Sequence, residues 1–184
     1  MRNMAISIIA MMVLAACNQG GGAAAGGDSK AASGESAQTS SGGGDGKEII
    51  IGFSAPLTGP QSHYGEDYKS GVQMAIDEAN EQGITINGGP AKFKLDAQDD
   101  GADPKQATQV AERFVDLKVA GVIGHFNSGT TIPASKVYEE NNIPNVSMAT
   151  SPVLTQQGFK TVFRSMTSDS QQGLVLGKYA VEKL

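Results

Sequence analysis

From Lys47 onward, apolar positions switch repeatedly between two spacings, and the switches predict an order of elements. Glu48-Ile49-Ile50-Ile51-Gly52-Phe53-Ser54 is a short β-branched run bounded by turn residues, the signature of a buried strand. Val72, Ala75, Ile76 and Ala79 then recur at helical spacing, and Gly83 stands where a helix closes in a left-handed cap. Phe93-Lys94-Leu95-Asp96-Ala97 alternates as a second strand. Asp103-Pro104 follows as an N-cap with proline at the first helical position, and Ala107, Val110, Ala111, Phe114 and Val115 continue that helix. Val119 to Ile123 reads as a third strand, Ile132, Ala134, Val137 and Tyr138 as a third helix up to Asn141-Asn142, and Ile143 to Met148 as a fourth strand. A short helix after Pro152, an extended piece over Thr161 to Arg164 and a helix from Ser170 to Leu184 complete the series.

This alternation predicts one α/β domain, a Rossmann-like doubly wound parallel sheet with helices on both faces. In such a sheet the ligand crevice lies beyond the carboxyl ends of the strands, where strand order reverses. Three strand-end loops therefore matter: Ala55 to Gly65, Gly124 to Thr131, and Ala149 to Pro152. All three are rich in hydroxyls. Ser128 to Thr131 opens the third helix, where unpaired backbone N–H groups and the helix dipole favour an anion such as a carboxylate. Ser128, Thr130 and Thr150 offer hydroxyl donors, and Tyr64 offers an aromatic wall with a polar tip. The same Ser and Thr residues also suit plain helix capping, and spacing alone does not separate the two roles.

The N-terminal region has a different character. Met1-Arg2 gives a weakly basic start, Ile6 to Ala16 runs apolar, and the sole cysteine, Cys17, follows. That apolar run is shorter than the roughly 20 residues a membrane span needs, so residues 1–16 read as a cleaved export signal. Leu14-Ala15-Ala16-Cys17 resembles a lipobox, which implies lipidation of Cys17. A lone cysteine has no partner for an internal disulfide, whereas buried acyl methylenes at about 0.8 kcal/mol each would hold the chain to a membrane surface. Between Asn18 and Gly46 there is no Val, Ile, Leu, Met, Phe, Tyr or Trp. Residues 17–46 thus read as a lipidated cysteine and a flexible tether reaching about 30 Å, and residues 47–184 as the folded domain. A net charge of −5 without Lys/Arg clusters argues against nucleic acid as a partner.

Enzyme signatures are missing. No G-x-G-x-x-G follows the first strand, no G-x-x-x-x-G-K-[ST] occurs, and Ser128 lacks the frame of a nucleophile elbow. His63 and His125 are the only histidines, and neither has ligand spacing around it, so they read as polar loop or strand-end residues rather than as a base or a metal pair. Asp99, Asp100 and Asp103 suit turn formation and capping, with a cation site as the lesser reading. No cofactor and no metal are implied.

Several stretches resemble the branched-chain amino acid binding proteins of ABC transporters, which have the type I periplasmic binding protein fold: Gly59-Pro60 through Tyr64-Gly65, Gln98-Asp99-Asp100, Asp103 to Ala107, Gly124-His125 with Pro133-Ala134-Ser135, and Thr150-Ser151-Pro152. The resemblance implies the N-terminal lobe of a two-lobed protein, the second lobe lying outside these residues. It implies that the Ser128 segment and Thr150 receive the α-carboxylate and ammonium of a small amino-acid-like ligand. Met148 would offer its carbonyl to the ammonium, and Tyr64 with Phe126 would pack on the ligand side chain. It further implies a monomer that delivers ligand to an ABC transporter permease from the periplasm or cell surface. A sensory module of the same fold and an exported Rossmann-like enzyme are the alternatives. Members of that family often join the loops after the second and third strands by a disulfide, where this chain has Ala102 and Asn127.

Overall fold

The structure is a computed structural model that describes residues 46–183, so the export segment, Cys17 and the tether up to residue 45 lie outside the described residues. Six strands form one sheet in the order β2-β3-β1-β4-β5-β6, with the short β2 spanning Thr85–Ile86. Strand β1 (Lys47–Ala55) sits between β3 (Gly89–Asp99) and β4 (Gly121–Gly124), parallel to both, with β5 (Asn145–Ser147) and β6 (Val162–Arg164) continuing the parallel series. Helices α1 (Ser62–Glu81), α2 (Pro104–Asp116), α3 (Ser128–Glu140), α4 (Val153–Gln156) and α5 (Asp169–Lys183) alternate with the strands.

Two cores follow from the pleat of β1, because successive side chains point to opposite faces. Ile51, Phe53 and Ala55 face α1, where they meet Val72, Ile76 and Tyr68. Ile50 faces the other way, onto the cluster of Ala107, Val110, Ala111 and Phe114 of α2 with Ala134 and Tyr138 of α3. Strand β4 repeats the division, Val122 packing on the α2/α3 side and Ile123 on the α1 side. The sheet is therefore covered on both faces, as the alternation of periods requires.

Local chemistry sets the boundaries. Asp103 caps α2 by accepting from the Gln106 N–H at 2.7 Å, with Pro104 at the first helical position, and Gly83 ends α1 in the left-handed region. Several boundaries differ from the sequence reading: β3 runs Gly89–Asp99 rather than Phe93 to Ala97, β4 starts at Gly121 rather than Val119, and β5 covers Asn145–Ser147 rather than Ile143 to Met148. Helix α1 begins at Ser62, so the loop after β1 is shorter than Ala55 to Gly65 and Tyr64 sits in the first helical turn. A small antiparallel strand, β2 (Thr85–Ile86), pairs with the start of β3 through the Asn87-Gly88 turn, both residues having positive φ as a two-residue hairpin demands. Helix α5 buries none of its residues, and Leu174, Val175, Leu176, Tyr179 and Val181 are exposed. Among the described residues, no helix is long and apolar enough to cross a membrane.

Candidate functional site

The strand order reverses at β1, since the chain moves to β3 on one side and to β4 on the other. The loops leaving β1 and β4 diverge there, opening a crevice at the carboxyl edge. The β1 loop is fastened by Asp99, whose carboxylate accepts from the Leu57 N–H at 2.8 Å, the Gly101 N–H at 2.8 Å and the Thr58 hydroxyl. Burial alone pushes the Asp99 carboxyl up, but these hydrogen bonds together outweigh it and hold the group below the usual carboxylate range. Across the crevice, Asn127 donates through Nδ2 to Gln61 Oε1 at 2.8 Å, tying the β4 loop to the end of the β1 loop. The rim is thus held by an amide pair that involves one of the two positions, Ala102 and Asn127, discussed above.

Beside this tie lies a pocket of about 300 Å³ lined by Phe126, Asn127, Ser128, Met148, Thr150 and Met166. Four of the five residues expected to contact a ligand are among them. The fifth, Tyr64, stacks on Phe126 with ring centroids 5.6 Å apart and planes 11° from parallel, so it extends the aromatic wall from the rim. Tyr64 remains 51% exposed. Met166 was not anticipated. It lies just past β6, and its position at the same carboxyl edge is the only signal that points to it.

The capping reading of the hydroxyls does not hold for Ser128 or Thr150. Asn127, not Ser128, occupies the N-cap of α3, and the N-cap of α4 is Pro152. The N–H groups of Thr130 and Thr131 return to the Asn127 carbonyl at 3.2 and 2.9 Å, and helix geometry leaves those of Ser128 and Gly129 at the open end. Ser128 Oγ accepts from the Ser151 N–H at 3.1 Å, which keeps its own proton available for donation. Thr150 shares the pocket, and its carbonyl accepts from the Asp169 N–H at 2.9 Å. Thr130 departs from expectation: it is fully buried and donates to the Asn127 carbonyl at 2.8 Å, so it serves the helix rather than the pocket.

His125 directly follows the end of β4, as the strand-end reading expects, but it is fully buried rather than facing solvent. Its Nδ1 lies 2.7 Å from Asp100 Oδ2 and its Nε2 lies 2.9 Å from the Tyr138 hydroxyl, while Ser54 donates to the same Asp100 oxygen at 3.2 Å. Burial first, and the Asp100 charge second, push the Tyr138 phenol far above its ordinary value, so it stays protonated. Although Ser, His and Asp meet here, the serine bonds the carboxylate instead of the imidazole and all three are sealed from solvent. A nucleophilic role does not fit that arrangement. The strand end before His125 needs glycine: Gly124 has φ +124°, and a Cβ there would lie 2.1 Å from the Ser54 carbonyl oxygen. His63 instead packs at a tilt against Tyr64, with centroids 3.9 Å apart and planes 40° from parallel. No cluster of three or more His, Cys, Asp or Glu side chains among the described residues is placed to hold a metal ion.

A doubly wound lobe with a small pocket at its switch point, lined by hydroxyls, a helix N-terminus and an aromatic wall, defines a class of small-solute binding domains. The sequence model of the family described as periplasmic binding protein matches residues 48–184, and the chain belongs to that family. It is 46% identical over 133 residues to Leu/Ile/Val-binding protein homolog 1 of Brucella abortus (strain 2308), covering 72% of this chain and 35% of the relative. It is 38% identical over 136 residues to the leucine-, isoleucine-, valine-, threonine-, and alanine-binding protein of Pseudomonas aeruginosa, covering 73% and 36%. Among solved structures it is similar to the branched-chain amino acid transporter substrate binding protein of Streptococcus pneumoniae in complex with isoleucine. That match has 32% identity, a TM-score of 0.68, and coverage of 74% of this chain and 39% of the other. The chain thus spans about a third of the length of the curated relatives it matches.

Proposed function

We propose that this lobe is half of the binding cleft of an extracytoplasmic solute-binding lipoprotein, which captures a branched-chain or related small aliphatic amino acid and delivers it to an ABC transporter permease. The observation that carries the reading is the convergence of Ser128, Thr150 and the open end of α3 on one pocket of about 300 Å³ next to the Tyr64–Phe126 stack. The α-carboxylate of the ligand sits at the Ser128 and Gly129 N–H groups, where unpaired donors and the helix dipole favour negative charge. The Ser128 and Thr150 hydroxyls donate to the same group, and the Met148 carbonyl accepts from the ammonium. Phe126, Tyr64 and the Met148 and Met166 side chains form an apolar surround for an aliphatic side chain. The names of the Brucella and Pseudomonas relatives support that ligand class.

The lipid on Cys17 holds the protein to a membrane outside the cytoplasm, the glycine-rich tether gives it reach, and the protein acts as a monomer without cofactor or catalysis. A thermal-shift screen of the full-length protein against single amino acids tests the ligand class. A ligand at 100 times its dissociation constant stabilises by about 2.7 kcal/mol, so L-leucine, L-isoleucine or L-valine should raise the melting temperature while L-glutamate and L-lysine should not. A shift with the charged amino acids alone would overturn the assignment.

A further inference from the structure

The two loops that bring Ser128 and Thr150 to one pocket leave different strands, β4 and β5, and something must fix the distance between them. Ser147, the last residue of β5, is fully buried and does not line the pocket. Its hydroxyl donates to the His125 carbonyl at 2.7 Å and accepts from the Ala149 N–H at 3.0 Å. His125 stands three residues before Ser128, and Ala149 one residue before Thr150. One side-chain oxygen therefore touches both ligand-bearing loops. Thr131 Oγ1, also fully buried, lies 3.1 Å from Ser147 Oγ and 3.2 Å from the His125 carbonyl, and it reaches the Asn127 carbonyl at 2.8 Å.

His125 is a firm anchor for this contact because its ring is held from two other elements, by Asp100 at the end of β3 and by Tyr138 on α3. Its carbonyl then cannot follow a shift of the β5 loop. We propose that Ser147 is a positioning residue for the binding site, its hydroxyl setting the separation of the Phe126–Gly129 and Met148–Ser151 segments so that Ser128 and Thr150 act on one ligand group. Thr131 braces the same carbonyl from the helix side. The spacing is read out by the bond between the Ser151 N–H and Ser128 Oγ, which crosses between the two segments without involving Ser147 itself.

The proposal rests on the amino acid reading only where affinity is measured, so its test has two arms, both on the full-length protein. The first is amide hydrogen exchange without ligand. Ser147→Ala should speed exchange at Ser151 about tenfold, with Thr130 and Thr131 following, while amides of β1 and α2 keep wild-type rates. If Ser147→Ala fails to fold, Thr131→Val should give the same local pattern and Thr131→Ser should restore wild-type exchange. Unchanged exchange at Ser151, or acceleration spread evenly over the lobe, would overturn the proposal. The second arm is calorimetric titration with L-leucine, which should bind Ser147→Ala about tenfold more weakly than wild type. Wild-type affinity in a variant with altered exchange would also overturn it. A wild-type protein that ignores L-leucine yet shows the local exchange pattern would leave the positioning role standing and sink the ligand assignment instead.

Discussion

Asp100→Ala should be among the most damaging single changes available in this lobe, although Asp100 touches no expected ligand. Its carboxylate receives three donors: the His125 ring at 2.7 Å, the Ser54 hydroxyl at 3.2 Å and the Ala102 N–H at 3.0 Å. Asp100, His125 and Ser54 are all 0% exposed, so water cannot take the place of the lost acceptor without entering the core. A buried donor left without a partner costs about 1–3 kcal/mol. The losses share one relaxation and do not add, which puts the expected cost at about 3–5 kcal/mol, the range seen when one partner of a buried pair is removed. That is a large fraction of the 5–15 kcal/mol that typically separates folded from unfolded. Asp100→Asn should cost less, about 1–2 kcal/mol. The amide oxygen still accepts from Ala102, and its NH2 can face His125 once the ring proton moves from Nδ1 to Nε2. Urea unfolding followed by circular dichroism gives both values from the shift in midpoint. A cost below about 1 kcal/mol for Asp100→Ala would mean that water reaches this network or that its members do not depend on one another.

Three further outcomes follow from the same structure. Asp99 and Glu139 are both held below the usual carboxylate range, Glu139 first by the Thr161 hydroxyl and then by the Thr161 N–H. Their contribution is present above the unfolded values, about pH 4, and is lost as pH falls through the lower folded values. Melting temperature should therefore fall on acidification below about pH 4, and less steeply in Asp99→Asn with Glu139→Gln; an unchanged slope would refute the role of these carboxylates. Cys17→Ser should abolish incorporation of labelled fatty acid, and equal label on both proteins would sink the lipid anchor. Because closure between two lobes is what buries a small solute, the 184 residues by themselves should bind L-leucine no more tightly than about millimolar by calorimetry, and micromolar binding would contradict the cleft.

The order of elements was legible because the signals are local. The Ile49 to Ile51 run marks β1, Asp103-Pro104 marks the start of α2, and the doublet Asn141-Asn142 marks the end of α3. The start of α1 was hidden because Ser62 to Gly65 contributes no buried apolar side chain to carry a period. Strand β2 escaped since two residues give no alternation, although Asn87-Gly88 is itself a hairpin signal. Strand-end logic and family resemblance together found Phe126, Ser128, Met148 and Thr150, which line the pocket. Neither revealed the burial of His125, whose partners Asp100 and Tyr138 lie 25 and 13 residues away. Long-range polar pairing leaves no periodic trace, and the place of Ser147 between two loops is invisible for the same reason.

The proposed function depends on Ser128 and Thr150 acting directly on a charged group of an amino acid ligand. Calorimetric titration of the full-length protein with L-leucine, on wild type, Ser128→Ala and Thr150→Ala, with melting temperatures recorded on the same samples, separates that role from a structural one. A hydrogen bond to a charged group contributes about 1.5–3 kcal/mol, so each variant should bind roughly ten- to a hundredfold more weakly, while stability falls little in Thr150→Ala and by no more than about 1 kcal/mol in Ser128→Ala, which also loses the bond from the Ser151 N–H. Affinities within a factor of two of wild type, with melting temperatures lowered, would contradict the claim and leave both hydroxyls with a purely structural part.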